Sequence, residues 1–437
     1  MADELTKAEN NAHLLLADWV LPIASDPIPD GAVLVVQGRI ARVGRRREVH
    51  PPNGAAVTHL GACALMPALV NCHTHLEYAA LPACGDGLPF HQWIANLYLR
   101  SQRVPPDRRA EAARSEARRM VMGGVTAVGD CGPEGFAADA MREAQLGGVA
   151  FQEVFGIDER EDLEGHMADL RRRVDLCRRS GVRPGVSPHS PYTAGPALLR
   201  LVDEYARAEE LPVAIHVAES KGEIDRLMGW ERVYSLARGR YAIWRPPRTT
   251  PIRYLRDLGL LKPGVVCVHC VRVDDEEIDM LAEAGVGVAL CPRSNALHGN
   301  GLPRIRELMD AGVAVGFGTD GACSVGRADL LEEARFALAA ERARVGSADA
   351  ISSRQVLEAV TLGSARVLGL DGEVGSIEPG KAADLVALQL PGPAVTAEEV
   401  FGVVLLGSRG VRMTMRAGRV VWDAAPTGRE AELDVGT

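Results

Sequence analysis

The sequence predicts an α/β protein, a (β/α)₈ barrel of the TIM type with a small discontinuous β-sandwich built from both ends of the chain. From about Val70 to Gly369, short strands rich in valine and alanine alternate with amphipathic helices, which is typical of a parallel sheet covered by helices. Eight such strands can be assigned, the number that closes a barrel. Outside this range the strands are short and separated by glycine turns.

The barrel strands are recognised as apolar runs of β-branched and small residues, each bounded by turn residues. They are expected at LMPALVN (65–71), GVTAVGD (124–130), GVAFQEVFG (148–156), VRPGVS (182–187), LPVAIHVAE (211–219), GVVCVHC (264–270), GVGVALC (285–291) and VAVGFGTD (313–320). The segments between them read as helices, for example residues 107–124, where alanine and arginine recur at helical spacing before a glycine pair.

Both chain ends contribute to the second, smaller domain. Segments within residues 13–64 and 373–423 read as strands with glycine turns, and barrel termini lie near each other at a surface, so the two segments can pair. The expected division is 1–66 for the first part of the sandwich, 67–371 for the catalytic barrel and 372–437 for the rest of the sandwich.

Composition excludes several classes of function. The 437 residues are 47% hydrophobic and 24% charged, and the net charge of −9 has the wrong sign for binding a nucleic acid backbone. No apolar run reaches the roughly 18 residues that a membrane-spanning helix needs. The chain has nine cysteines, too few for its length to form the dense disulfides of a secreted scaffold, so we expect reduced thiols and a cytoplasmic protein. With nucleic acid and membrane excluded, we expect a small-molecule substrate. In a regular strand, Cys267 and Cys270 would point to opposite faces, which argues against a zinc or redox pair.

Histidines gather at the carboxyl ends of the predicted strands, where barrel enzymes hold their active sites. His73 and His75 are two residues apart, so both imidazoles project to the same side of an extended backbone. His216, His269 and Asp320 end the fifth, sixth and eighth strands. Neutral imidazoles with one carboxylate suit a divalent transition metal, Zn²⁺ first and Fe²⁺ or Mn²⁺ as alternatives.

A bound metal lowers the pKa of water far enough to provide a nucleophile near neutral pH, and a second titratable group must then carry the proton. Glu219 lies three residues after His216, at the turn from strand to loop, where it can reach a ring nitrogen of a bound substrate. Burial beside an apolar ring should raise the pKa of Glu219, whereas a neighbouring cation should lower that of Asp320.

These motifs carry a family resemblance. MPALVNCHTHLE, SPHSPYT, HVAES, VHC, CPRSNALHGNGLP and GTDGACS, in this order, resemble the amidohydrolase superfamily, specifically its mononuclear nucleoside and nucleobase deaminase branch. The resemblance extends over nearly the whole chain, including SIEPGKAADLVAL near the end. It implies a barrel hydrolase that replaces an amino group on a heteroaromatic ring with oxygen and releases ammonia. Members of this kind are often dimers, so a homodimer is possible.

The resemblance also implies roles for individual residues. The implied metal ligands are His73, His75, His216 and Asp320. Asp320 and His269 would deprotonate and orient the attacking water, and Glu219 would protonate the ring nitrogen. Binuclear relatives bridge their ions with a carboxylated lysine at the end of the fourth strand; here that place reads Ser187–Pro188–His189, which indicates a single ion.

For the substrate pocket, the resemblance points to His189 and Trp93. Relatives that act on S-adenosylhomocysteine or methylthioadenosine have a ribose-binding glutamate nine residues after this tryptophan, where the present chain has Gln102. Glu77 in HTHLE and the stretch around Trp93 look more like aminofutalosine deaminases of menaquinone biosynthesis. Aminofutalosine, an adenosine-like nucleoside extended by a benzoate, is therefore the first candidate substrate.

The insertion at 229–251 is rich in arginine and aromatic residues in a chain that is only 4% aromatic. It reads either as a surface excursion on the barrel rim or as a lid over the substrate, in which Arg238, Arg240 or Arg245 could pair with a benzoate carboxylate.

Other functions stay open after the first choice. They are deamination of S-adenosylhomocysteine, methylthioadenosine or other adenosine-type nucleosides, deamination of guanine or another free base, hydrolysis of a triazine-like ring, and a non-catalytic scaffold. The complete set of implied ligands and proton carriers argues against the scaffold.

Overall fold

A computed structural model describes residues 12–235, 239–392 and 396–424. Arg238, one of the arginines considered for the substrate, lies outside the described residues. The chain divides into two compact units. One unit comprises the chain up to Ala68, Val121–Thr126 and the chain from Ser376 onward; the other comprises Leu69–Met120 and Ala127–Gly375.

The strands of the described chain are numbered β1 to β18 in chain order. They are β1 Ala12–Val20, β2 Ile28–Val36, β3 Arg39–Arg45, β4 Ala56–His59, β5 Cys63–Pro67, β6 Leu69–Thr74, β7 Val125–Gly132, β8 Gly147–Val154, β9 Arg183–Pro188, β10 Val213–Val217, β11 Tyr234–Ser235, β12 Arg240–Tyr241, β13 Val265–His269, β14 Gly287–Leu290, β15 Ala314–Phe317, β16 Leu385–Gln389, β17 Val411–Arg416 and β18 Arg419–Asp423.

Eight strands form the predicted barrel. Their order in the sheet is β15-β14-β13-β10-β9-β8-β7-β6, and neighbouring strands run parallel. The first and last strands meet beyond β15, where the Asp320 N–H donates to the His73 carbonyl at 3.1 Å. The side-chain amide of Asn71 also bonds twice to Thr319, at 2.8 and 3.0 Å. The predicted barrel is therefore confirmed.

One predicted strand is in fact two. The segment at 65–71 is divided between β5, which belongs to the sheet of the chain ends, and β6, which begins the barrel. As a result His73 lies inside β6 rather than after a strand, and His75 directly follows it. The two imidazoles keep the predicted spacing of two residues.

Helices of the described chain connect the barrel strands, as expected, and further helices follow β15. They are Phe90–Ser101, Pro106–Met122, Phe136–Ala144, Leu163–Arg179, Pro196–Ala208, Lys221–Leu227, Pro251–Asp257, Asp275–Ala284, Pro292–Leu297, Ile305–Asp310, Ala322–Val325, Leu330–Val345, Ser353–Glu358, Ser364–Val367 and Val400–Gly402, with a 3₁₀ turn at Leu76–Tyr78 and π-helical turns at Ala359–Gly363 and Val403–Gly407. The helix predicted at 107–124 ends at Met122, before the glycine pair. None of the described helices combines the length and the apolar character that crossing a membrane requires.

Strands from both chain ends join in one eight-stranded sheet of order β18-β17-β16-β5-β1-β2-β3, with β4 pairing to β1. Alternation along β1 gives this sheet two buried faces. Leu15 belongs to a large apolar cluster with Val33, Leu65 and Leu385, whereas Leu14 belongs to a smaller one on the opposite face. The sheet therefore depends on residues from both ends of the chain.

Candidate active site

Three imidazoles and one carboxylate converge where β6, β10 and β15 end. The Nε2 atoms of His75 and His216 are 3.3 Å apart. Oδ1 of Asp320 lies 3.4 Å from Nε2 of His75 and 3.8 Å from Nε2 of His73. The four predicted ligands therefore meet at one point. All four are buried, so little water separates them.

Hydrogen bonds fix the tautomers of two of these histidines. Nδ1 of His75 donates to the carbonyl of Cys131 at 2.7 Å, and Nδ1 of His216 donates to the carbonyl of His189 at 3.0 Å. Because a carbonyl can only accept, each Nδ1 carries the proton and each Nε2 presents a lone pair. The two lone pairs face each other, which is unfavourable unless a cation lies between them.

The electrostatics of the histidines fit the same arrangement. Burial lowers the pKa of His75 and, further, that of His73, so both imidazoles are neutral. Nε2 of His73 is buried and has no hydrogen-bond partner in the described chain. Neutral imidazoles with free lone pairs, beside an ionised carboxylate, are the donor set that a divalent ion such as Zn²⁺ prefers, so these residues fit the implied metal.

Asp320 is held in its ionised form. Burial by itself would raise its pKa, but His75, His269 and His73 and a hydrogen bond from Ser294 together lower the pKa below its ordinary value. Oδ2 accepts the hydroxyls of Ser294 at 2.6 Å and Ser324 at 2.9 Å. The direction of the shift is the one that the sequence analysis expects.

Glu219 behaves in the opposite way. Its side chain is buried at the cavity wall, and burial raises its pKa well above the ordinary value, with Asp320 and Glu223 adding to the effect. Oε1 lies 3.7 Å from Nε2 of His269. Burial also lowers the pKa of His269, to about 4, so this imidazole is neutral. The site thus pairs a protonated carboxyl with an ionised one, which an acid and a base in one reaction require.

The backbone at this site is strained. Ala218, His269 and Asp320 have φ values of +53°, +79° and +58°, although none of them is glycine. Such conformations cost about 1–3 kcal/mol each and occur preferentially at functional sites. His269 is the last residue of β13, Ala218 directly follows β10, and Asp320 lies three residues after β15, so each positive φ occurs where the chain leaves a barrel strand beside the site.

A single cavity of about 610 Å³ opens above the cluster. Its lining includes each residue that the sequence analysis assigned to substrate binding, namely Glu77, Trp93, Gln102, His189 and Glu219. This volume suits a ligand larger than a free base.

Comparison with known proteins identifies the architecture. A family model described as "Amidohydrolase family" matches residues 64–421. The chain belongs to the amidohydrolase family. It is therefore a hydrolase that acts on carbon–nitrogen bonds.

Relatives of this amidohydrolase include deaminases. A 5-methylthioadenosine/S-adenosylhomocysteine deaminase of Symbiobacterium thermophilum is 30% identical over 424 residues, which cover 92% of each chain. A crystal structure of an adenosine deaminase from Xanthomonas campestris with bound zinc has a TM-score of 0.82 and 26% identity, covering 93% of this chain and 92% of that one. Helicobacter pylori aminofutalosine deaminase, in complex with methylthio-coformycin, shares the fold with a TM-score of 0.82 at 21% identity, covering 94% and 100%.

The predicted pocket residues of this amidohydrolase differ in how free they are to bind a ligand. Trp93 packs against Phe90 and forms an apolar wall, with ring centroids 5.9 Å apart. His189 stacks on His216 at 4.6 Å. Gln102 is exposed at the end of the helix Phe90–Ser101, within the lining of the cavity.

Glu77 forms hydrogen bonds within the protein. Its two carboxylate oxygens accept the backbone N–H groups of Glu134 at 2.9 Å and Phe136 at 2.8 Å. Glu77 is part of the cavity lining, and its two hydrogen bonds also hold the loop after β7 in place. Substrate binding by Glu77 therefore stays a prediction, and these two hydrogen bonds give the residue a structural role in addition.

Among the described residues, the arginines that line the cavity were not considered in the sequence analysis. Arg226 and Arg232 line it, together with Arg109. Arg240 lies outside the lining, 4.0 Å from Asp158, and Arg245 is exposed and also outside it. Of the described part of the insertion at 229–251, residues 232–235 line the cavity.

Sequence reasoning missed several polar residues at the site. Glu153 lies near the end of β8, buried, with Oε1 3.9 Å from Nδ1 of His216. Burial raises its pKa well above the ordinary value. The sequence did contain a signal for Glu153, because it is a charged residue near the carboxyl end of an apolar strand, where site residues of a barrel are expected. Ser294 and Asn300 lie within the motif CPRSNALHGNGLP, but the motif does not indicate which groups their side chains contact.

Proposed function

We propose that this amidohydrolase hydrolyses the exocyclic amino group of an adenosine-type nucleoside and releases ammonia, with methylthioadenosine and S-adenosylhomocysteine as the first candidates. The observation that carries the proposal is the convergence of neutral imidazoles and ionised Asp320 beside a protonated Glu219. The imidazoles and Asp320 could bind a cation, and Glu219 could donate a proton, at the floor of the same cavity.

The proposed cofactor is one divalent ion, Zn²⁺ first, with Fe²⁺ and Mn²⁺ as alternatives. His73, His75, His216 and Asp320 would hold it. When bound, such an ion supplies Lewis acidity that activates water near neutral pH.

The protein's own groups then divide the proton transfers. Glu219, protonated in the folded protein, would donate to the ring nitrogen next to the amino-bearing carbon, which makes that carbon a better electrophile. Ionised Asp320 would accept a proton from the attacking water, and neutral His269 would orient that water. This proton reaches the amino group, the carbon–nitrogen bond breaks, and ammonia leaves. As the new carbonyl forms, the remaining hydroxyl proton passes to the Glu219 carboxylate and restores its protonated form, so no proton is gained or lost overall.

The cavity supports a nucleoside rather than a free base. A volume of about 610 Å³ leaves room beyond a purine ring, and Trp93 with Phe90 offers a flat apolar wall for that ring. The name of the relative from Symbiobacterium thermophilum supports the order of the candidates, with methylthioadenosine and S-adenosylhomocysteine ahead of the aminofutalosine expected from the motifs.

Aminofutalosine is the second candidate because of two observations. Gln102 lines the cavity where methylthioadenosine deaminases have a ribose-binding glutamate. Arg226 and Arg232 in the same lining could pair with a carboxylate, which aminofutalosine and S-adenosylhomocysteine carry and methylthioadenosine does not.

The test is ammonia release by zinc-loaded protein on a panel of substrates. The panel contains methylthioadenosine, S-adenosylhomocysteine, adenosine, aminofutalosine, guanine, cytosine and a chlorinated triazine. We expect the highest kcat/KM with one of the first two compounds. A preference for aminofutalosine would reverse the order of candidates, and activity confined to a free base or a triazine would refute the nucleoside assignment.

A further inference from the structure

The loop that follows β14 supplies one side chain to each of the three proton-handling groups. The hydrogen bonds join Ser294 to Asp320 at 2.6 Å, Asn295 to His269 at 3.2 Å and Asn300 to Glu219 at 3.2 Å. Ser294 and Asn295 lie in the helix Pro292–Leu297, and Asn300 lies three residues after it. One short segment therefore contacts all of the groups that the proposed reaction uses to move protons.

We propose that Asn300 is a positioning residue for Glu219: its amide holds Oε1 as an acceptor and so assigns the transferable proton to Oε2. This inference rests on the proposed function, in which Glu219 protonates the substrate ring.

The chemistry of the amide carries the first step. Nδ2 of Asn300 donates to Oε1 of Glu219, and an amide N–H cannot accept a proton in return. When Glu219 is protonated, its carbonyl oxygen accepts this hydrogen bond more strongly than its hydroxyl oxygen would, so the amide favours the proton on the other oxygen. Asn300 and Glu219 are 4% and 7% exposed, so little water competes for this contact.

The surroundings of Glu219 favour the same assignment. Oε1 also faces Nε2 of His269 at 3.7 Å. Asn295 donates to Nδ1 of that ring, which leaves the proton of the neutral imidazole on Nε2. Oε1 thus faces two N–H groups, whereas no residue of the described chain donates to Oε2. Since Glu219 lines the cavity, Oε2 is the oxygen available to a substrate.

The backbone beneath Glu219 is held by a different residue. The carboxylate of Glu223 accepts the N–H groups of Ala218 at 3.0 Å and Glu219 at 2.8 Å, which fixes the strained turn. Removing the Asn300 amide should therefore free the carboxyl group of Glu219 without releasing the main chain. This separation makes a specific test possible.

Kinetics of Asn300→Ala and Asn300→Asp provide the first test. Asp has the shape of Asn but places an acceptor against Oε1. We expect kcat to fall by about 10- to 100-fold in both variants, with KM changing less than about threefold, and the loss in Asn300→Asp to be at least as large as in Asn300→Ala. If packing alone mattered, Asn300→Asp would keep more activity than Asn300→Ala. That order, or a kcat within about twofold of wild type, would overturn the proposal.

Two controls accompany these variants. Asn96, whose amide donates to Sγ of Cys84, is converted to alanine and should keep the wild-type kcat. Zinc content is measured throughout and should not change, because Asn300 contacts none of the proposed ligands. Asn300→Ser, whose hydroxyl is too short to reach Oε1, replaces any variant that fails to fold and should show the same fall in kcat.

Crystal structures of the zinc-loaded wild type and Asn300→Ala provide a test that needs no substrate. We expect the Glu219 carboxyl group to move by about 1 Å or more, or to occupy two rotamers, in the variant. A carboxyl group in the same single position would overturn the inference. If the wild type deaminates no nucleoside, the proposed function fails, but this comparison still decides whether Asn300 positions Glu219.

Discussion

Glu219 is the residue on which the proposed chemistry depends most. Burial keeps it protonated, and it lies within reach of both His269 and the cavity. Glu219→Gln preserves the size of the side chain and a hydrogen-bond donor but cannot release a proton. We expect kcat for ammonia release to fall by about 10²- to 10⁴-fold, the usual contribution of a positioned acid or base.

Metal analysis separates this loss from damage to the metal centre. Glu219 is not among the proposed ligands, so Glu219→Gln should bind as much zinc as the wild type. A variant that keeps a third or more of the wild-type kcat would contradict the assignment of Glu219 as the proton donor.

Individual residues differ in how visible they are in the sequence. His73, His75, His216 and Asp320 could be found because parallel strands bring their carboxyl ends to one edge of the barrel. Asn300 could not, because its contact with Glu219 depends on how the loop after β14 folds back over the site. The hydrogen bonds from Glu77 to the loop after β7 were not predicted either, because the sequence does not show which loop lies beside its carboxylate.

At the scale of elements, the helix Phe136–Ala144 ends in a way that can be improved. Its C-cap residue, Gln145, is exposed and has a φ of +56°, a conformation that favours glycine. Gln145→Gly should raise the free energy of unfolding by about 0.5–1 kcal/mol, because relief of the left-handed strain outweighs the greater freedom of glycine in the unfolded chain. Denaturant unfolding measures the difference.

A second C-cap provides the matched control. Gln102 ends the helix Phe90–Ser101 but has a φ of −64°, so glycine relieves no strain there. Gln102→Gly should therefore leave stability unchanged or lower it. An equal gain from both substitutions would show that the backbone conformation of Gln145 is not the cause.

Strand boundaries were harder to predict than the strands themselves. The apolar run at 65–71 gives no sign that Ala68, between two buried strands, separates two sheets. Regular alternation also fails at the end of β13, where His269 and Cys270 have positive φ values. Cys267 lies close enough to Cys270 to raise the pKa of its thiol, with burial adding to the effect, so the regular alternation assumed for these two residues does not hold here.

At the scale of the whole molecule, stability should depend on pH through a buried carboxyl group that is not one of the proposed ligands. Glu333 is fully buried, and burial raises its pKa to about 8. Between its ordinary value of 4.5 and this value, the folded protein keeps a proton that the unfolded chain has released. Its contribution to stability is therefore complete below about pH 4.5 and is lost as the pH rises through about 8.

Glu333→Gln removes this dependence while keeping the acceptor for the N–H of Arg293, which Oε1 of Glu333 now binds at 2.8 Å. Between pH 5 and 8.5, the melting temperature of the variant should rise relative to that of the wild type. Glu332→Gln removes the same charge from an exposed neighbour and controls for net charge. Parallel profiles for the wild type and Glu333→Gln would contradict the prediction.

Metal removal tests how far the site contributes to the stability of the barrel. The proposed ligands come from the ends of the first, fifth and eighth barrel strands, and the lone pairs of His75 and His216 oppose each other at 3.3 Å. A bound cation would replace that repulsion with attraction and link strands distant in sequence. A ligand present at a thousand times its Kd stabilises the folded state by about 4 kcal/mol.

After chelation we expect a lower melting temperature that rises again with added zinc. His216→Ala should abolish the zinc response, whereas His166→Ala, a partly exposed histidine paired with Glu161, should retain it. A wild-type melting temperature that does not respond to either treatment would mean that these four side chains hold no metal, and the proposed chemistry would lose its source of activated water.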